Sequence, residues 1–80
     1  MVRLTQKDLE FLRWLDEQPS RGSSPFGHAF MSAVVQQLYP GDPQKMRKTH
    51  NRCESLAAAD VISKKGAHIR ITYAGRQAIS

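Results

Sequence analysis

A single cysteine, Cys53, leaves this chain without an internal disulfide and suits a reducing cytoplasm. No apolar run approaches the length of a membrane span, and the basic, polar N-terminus lacks a signal-peptide core. The expectation is a cytoplasmic protein with no membrane partner. A Cys-x-x-Cys pair is missing, so His50 and Cys53, at i, i+3, have only His28 and His68 as further nitrogen ligands for zinc. No metal and no cofactor is expected. The serine and glycine cluster of residues 19–25 has no P-loop lysine and no preceding apolar strand, which makes it a connection rather than a phosphate cradle. No carboxylate pair stands out, since Asp16 and Glu17 are adjacent and read as solvated. A Cys53–His dyad would lack an oxyanion site. Eighty residues form one domain, 1–80, with room for a small core but not for a core plus an enclosed substrate pocket. The chain reads as a non-enzyme.

What is present is cationic and unevenly placed. In residues 1–40, Arg3, Lys7, Arg13 and Arg21 balance Asp8, Glu10, Asp16 and Glu17. Residues 41–80 set eight Lys or Arg against Asp42, Glu54 and Asp60, so the whole net charge of +5 lies there. Such asymmetry points to a polyanionic partner.

Local signals divide the chain into four helices and a hairpin. Thr5 and Asp8 have capping-box spacing, and Leu4 and Leu9 are placed as a hydrophobic staple. Leu9, Leu12 and Leu15, broadened by Phe11 and Trp14, make the first helix core-facing. Ser24 followed by Pro25 predicts the start of a second helix, with Phe26, Phe30, Val34 and Leu38 along one face and Ala29 and Ala33 beside it. That helix ends at Tyr39-Pro40-Gly41, and Asp42 followed by Pro43 predicts a third over about 43–58. Asp60 is expected to close it in the left-handed conformation. Val61-Ile62-Ser63 and His68–Ile71 read as two short strands around a basic tip, Lys64 to Ala67. Thr72 caps a last helix, with Ile79 turned back to the core.

The third helix separates two chemistries. Met46, Cys53, Leu56 and Ala57 are expected inward, with His50 at the margin. Arg47, Lys48, Asn51, Arg52 and Ser55 are expected outward, with Gln44 and Lys45 at the N-terminal end. Arginine can fork onto guanine, asparagine onto adenine, and serine onto a base edge or a phosphate. A purely solvated face would mix signs, and here only Glu54 intervenes. Lys64, Lys65, His68 and Arg70 would lie beside the phosphates, giving salt-sensitive affinity with little sequence information.

Residues 55–63, Ser-Leu-Ala-Ala-Ala-Asp-Val-Ile-Ser, followed by Ile69-Arg70-Ile71-Thr72-Tyr73-Ala74-Gly75-Arg76, resemble one segment of MarR- and PadR-like winged-helix regulators. That segment comprises the recognition-helix end, the wing and a Leu-Thr-x-x-Gly-Arg run. The resemblance spans about the last half of the chain and implies a mainly α fold with a small β-hairpin: a winged helix-turn-helix of three core helices, a two-stranded wing and a short C-terminal helix. It implies a transcriptional regulator, such as a repressor, that binds double-stranded DNA at the nucleoid. The recognition helix would enter the major groove and the wing, 62–71, would lie on the backbone. Those regulators add long dimerisation helices, which the eighty residues do not supply, so monomer binding and a homodimer through the first helix are both open. The alternatives are a winged-helix adaptor or inhibitor, including a phage-encoded one, binding a protein partner through Trp14, Tyr39, Phe26 or the 19–25 loop, and RNA binding through the same basic face.

Overall fold

The computed structural model describes residues 4–22 and 25–80. Its elements run α1 (Gln6–Asp16), β1 (His28–Phe30), α2 (Met31–Leu38), α3 (Lys45–Ala58), β2 (Ile62–Lys65), β3 (His68–Ile71) and α4 (Tyr73–Ala78). The three strands form one antiparallel sheet in the order β1-β3-β2. The fold is therefore mixed α and β, with four helices and a three-stranded sheet among the described residues rather than an isolated two-stranded hairpin.

Local chemistry sets several boundaries as expected. The Thr5 hydroxyl accepts the Asp8 amide at 3.2 Å while the Asp8 carboxylate accepts the Thr5 amide at 3.0 Å, a complete capping box. Asp60 stands at φ 65° just past α3. The Thr72 hydroxyl accepts the Gly75 amide at 3.1 Å and starts α4, and Ile79 packs against the core. Gly75 has a steric reason to lack a side chain: a Cβ there would collide with the Val61 carbonyl. Trp14 stacks on Phe11, with ring centroids 5.8 Å apart, and so belongs to packing.

The expected start of the second helix is displaced. Ser24 lies outside the described residues, and His28–Phe30 is a strand paired with β3, so α2 begins only at Met31. The reason is long-range: the His28 amide donates to the Pro19 carbonyl, and Ile71 donates to the Gly27 carbonyl. Those bonds hold the segment extended despite its helical spacing of apolar residues. Phe30 consequently leaves the helix face assigned to it and is exposed, whereas Val34 and Leu38 are buried as expected. Ala29 is buried and Ala33 is exposed.

Two further boundaries move. Asp42 sits one turn ahead of α3, its carboxylate accepting the Gln44 amide at 2.7 Å, so the helix starts at Lys45 instead of Pro43. β2 begins at Ile62 and takes in both Lys64 and Lys65, so the hairpin turn is Gly66-Ala67 alone. Gly66 has φ 59°, and Ala67 is not among the residues with positive φ. That combination is a II′ turn, which demands glycine first. Asp16, expected to be solvated, pairs with Arg76 at 3.1 Å and ties α1 to α4.

The core lies on one face of the sheet, where Ala29, Ile62, Ile69 and Ile71 meet Phe11, Leu12, Leu15, Val34, Val35, Leu38, Cys53 and Leu56. The chain is small, with a Cα radius of gyration of 11.6 Å. No helix among the described residues is long and apolar enough to cross a membrane. Thr49 is wholly buried in α3, and its hydroxyl has no hydrogen-bond partner among the described residues. An unpaired buried hydroxyl destabilises by roughly 1–3 kcal/mol. Thr49→Val keeps the shape and removes that penalty. It should raise the urea midpoint by an amount equivalent to about 1 kcal/mol, and an unchanged or lower midpoint would contradict this packing.

Candidate nucleic-acid interface

α3 divides along its length into a buried stripe and an exposed one. Thr49, Cys53 and Leu56, at i, i+4 and i+7, are 0%, 0% and 1% exposed. On a 3.6-residue helix the opposite side is occupied by Arg47, Asn51 and Ser55, all exposed, with exposed Lys48 and Glu54 flanking them. Met46, expected inward, is 53% exposed, and Thr49 takes the inward position instead. Gln44 is exposed and Lys45 half-buried, so the first turn of α3 stands largely clear of the core. Lys48 is tethered to Asp42, with Nζ 2.7 Å from the carboxylate, which also lowers the Asp42 carboxyl below its ordinary value.

Arg52 departs from the outward set. It is half-buried, its Nη1 donates to the Asp8 carboxylate at 2.5 Å, and its Nε and Nη2 donate to the Tyr39 hydroxyl at 3.3 and 3.2 Å. The cause is its angular position, on the flank of α3 next to Thr49 and Leu56 rather than opposite them. Tyr39, first in cause, and Asp8 raise the guanidinium's affinity for its proton above the ordinary value. Burial opposes the charge on Asp8. Contacts from the Thr5 amide, the Arg52 guanidinium and the Thr5 hydroxyl outweigh it and hold that carboxyl below its usual range. Arg52 is thus a positioning residue: it joins the start of α1, the end of α2 and the middle of α3. Lys7 also lies over the Tyr39 ring, 4.9 Å from its centroid.

The hairpin splits between two faces, because residues directly opposite each other in an antiparallel sheet share a face. Ala29, Ile69 and Lys64 form one cross-strand row on the core side, where Lys64 comes half-buried beside α3. Phe30, His68 and Lys65 form a row on the other side, as do His28, Arg70 and Ser63. Of the four hairpin residues expected beside α3, only Lys64 is on its side. Lys65 in β2, and His68 and Arg70 in β3, turn away, because successive side chains along a strand point to opposite faces of the sheet.

On that outer face the His28 Nε2 and the His68 Nδ1 lie 3.0 Å apart, within hydrogen-bond distance. His28 is buried, and burial, followed by the charges of His68, Arg70 and Arg21, pushes its imidazole below 6.5. Cys53 is a core thiol: burial raises its pKa to about 11, with Lys64 working weakly against the shift. It stays protonated at neutral pH, which removes it as a nucleophile. Trp14, Tyr39 and Phe26, named for a protein-binding surface, are each partly buried against the core.

The Asp8–Arg52 pair was not marked in the sequence, nor was the grouping of Phe30 and His28 with Lys65, His68 and Arg70 on the outer face. Asp8 read only as a cap, and its partner lies 44 residues away. No protein-family model, curated protein or solved structure matches this chain.

Two outcomes follow from these contacts. Asp8→Ala should destabilise by about 2–3 kcal/mol, because a cap is lost and a half-buried guanidinium is left without its carboxylate. Adding Arg52→Ala should cost much less than the sum of the single effects, with a coupling of at least about 1 kcal/mol in a double-mutant cycle. Additive losses would refute the pairing. For His28 the unfolded chain takes up a proton as pH falls below 6.5 while the folded chain resists it. The unfolded state then binds more protons, so stability should fall between about pH 7.5 and pH 5.5. His28→Gln should flatten that slope in urea titrations, and an equally steep slope would remove His28 as its source.

Proposed function

We propose that this chain binds double-stranded DNA through α3, as a winged-helix transcriptional regulator acting at the nucleoid in the cytoplasm. The observation that carries the reading is the division of α3: Thr49, Cys53 and Leu56 are sealed into the core while Arg47, Asn51 and Ser55 face solvent on the opposite side. Arginine, asparagine and serine are side chains whose donors and acceptors match base edges in the major groove. The protruding first turn, Gln44 to Lys48, supports entry by the N-terminal part of the helix, as in helix-turn-helix proteins.

The order of elements agrees with a winged helix: helix, strand, helix, helix, then a hairpin. In this reading the wing is short. Its Gly66-Ala67 turn is held by the Met31 amide, which donates to the Ala67 carbonyl at 2.7 Å. The wing therefore contributes Lys64 to the α3 side, with Lys45 and Lys48 on the helix itself, and little more. Base contacts belong to Arg47, Asn51 and Ser55, and Gln44 and the lysines serve the phosphates. Arg52 keeps α3 at the correct roll.

Selection of bound duplexes from a random pool should return a consensus, and affinity for it should fall steeply with salt. Arg47→Ala and Asn51→Ala should each cost about 1–3 kcal/mol and relax specificity at one base position. Lys64→Ala should weaken consensus and random duplex alike and reduce the salt slope by about one. If all three variants bind both duplexes as the wild type does, α3 is not the reading element.

A further inference from the structure

The outer face of the sheet carries a second cationic surface that the duplex reading leaves unused. Phe30 sits at its centre, 42% exposed, with the His68 and His28 ring centroids 5.2 and 5.0 Å away. The Arg21 guanidinium, from the loop after α1, lies 5.0 Å over the Phe30 ring. Lys65 stands in the same cross-strand row as Phe30, and Arg70 in the next.

Two observations say that the ligand is anionic. Among the described residues no ion pair engages Arg21, Lys65 or Arg70; the acids that are paired, Asp8, Asp16 and Asp42, belong to α1 and the turn before α3. Among the described residues the buried Nε of Arg70 has no acceptor, while its Nη2 reaches the Arg21 carbonyl only at 3.4 Å. A buried donor without a partner is costly, and an incoming oxyanion would satisfy it. The exposed planar rings say what else the ligand carries. Phe30 and His68 stand side by side on neighbouring strands, an arrangement suited to stacking unpaired bases.

We propose that this face binds single-stranded nucleic acid. Bases stack on Phe30 and His68, and phosphates run along Arg21, Lys65 and Arg70. Arg21, on an exposed loop, exchanges its seat over the Phe30 ring for a phosphate and leaves that ring to a base. Duplex DNA fits poorly here, since its bases are already stacked and the hairpin turn is too short to enter a groove. The proposal stands independently of duplex binding through α3.

The test uses the whole chain and a fluorescent oligothymidylate of about twelve nucleotides, followed by anisotropy at low salt. The wild type should bind it, and an abasic phosphodiester strand of equal length and charge should bind at least about fivefold more weakly. Phe30→Ala should lose a similar factor, and Lys65→Glu should lose affinity for both strands. Arg47→Ala should leave strand binding unchanged, which separates this face from α3. Thermal melting monitors folding of each variant; should Phe30→Ala unfold, His68→Ala and the abasic comparison decide. The proposal is overturned by failure of the wild type to bind, by equal affinity for abasic and thymidylate strands, or by loss of binding in Arg47→Ala. Competition by an acidic peptide as effective as the oligothymidylate would overturn it too, assigning the face to a protein partner.

Discussion

The contact between Asp8 and Arg52 settles which way α3 is rolled, and the rest of the molecule's chemistry depends on that roll. Asp8 serves two structures with one carboxylate: it closes the capping box of α1 and accepts the guanidinium of Arg52. Because the cap already fixes its position, little further side-chain entropy is lost in meeting Arg52. Tyr39 adds its hydroxyl to the same guanidinium at the point where α2 ends. Three helices therefore converge on one planar cation. A hydrophobic stripe made only of Thr49, Cys53 and Leu56 would tolerate some rotation of α3; a forked donor held by two fixed acceptors does not. Arg47, Asn51 and Ser55 face outward because Arg52 faces sideways.

The parts of this fold that were legible in the sequence are those decided within a few residues. The Thr5–Asp8 box, the left-handed Asp60 and the Thr72 cap each need only neighbouring backbone groups, and each was readable. β1 was not readable because nothing local makes it a strand. Its three residues are extended only because β3, some forty positions later, supplies the partner bonds. The spacing of Phe26, Phe30, Val34 and Leu38 fits a helix well, and tertiary pairing overrides it. Met46 and Thr49 were exchanged for a related reason. Hydrophobicity alone favoured Met46 inside, but its turn of α3 lies beyond the core, while Thr49 sits where α3 crosses it. The inward swing of Arg52 depended on a carboxylate in another helix, a relation that periodicity cannot express. The basic character of α3 and the assignment of Asn51, Arg47 and Ser55 to its open side were legible, because charge placement needs no partner.

The hairpin shows how one residue of register redistributes charge. With Lys64 and Lys65 adjacent in β2, the pleat must send one to each side of the sheet. Lys64 goes to the α3 side, where its charge is felt at Cys53, and Lys65 goes to the side of Phe30 and His68. A basic dipeptide that looks like a single patch is thus divided between two surfaces. β1 reinforces the division, since it pairs with residues 68–70 of β3 and the Met31 amide that follows it holds the Ala67 carbonyl at the hairpin turn.

The acids complete the arrangement by where they are spent. Asp16 is engaged by Arg76 between α1 and α4, Asp8 by Arg52, and Asp42 by Lys48 at the start of α3. Each of these pairs fastens one element to another, and none lies among the rings of the outer face or along the stripe of Arg47, Asn51 and Ser55. Pairing inside the protein would blunt the positive field of either surface, so acids used as fasteners at the edges cost the two surfaces little. Lys48 is the one shared residue, bound to Asp42 yet 46% exposed at its side chain. A surface pair of that kind contributes at most about 1 kcal/mol, so a phosphate can compete for the ammonium with little loss of stability. The same tether holds Lys48 near the first turn of α3 before any ligand arrives, which reduces the ordering cost of the contact it would make.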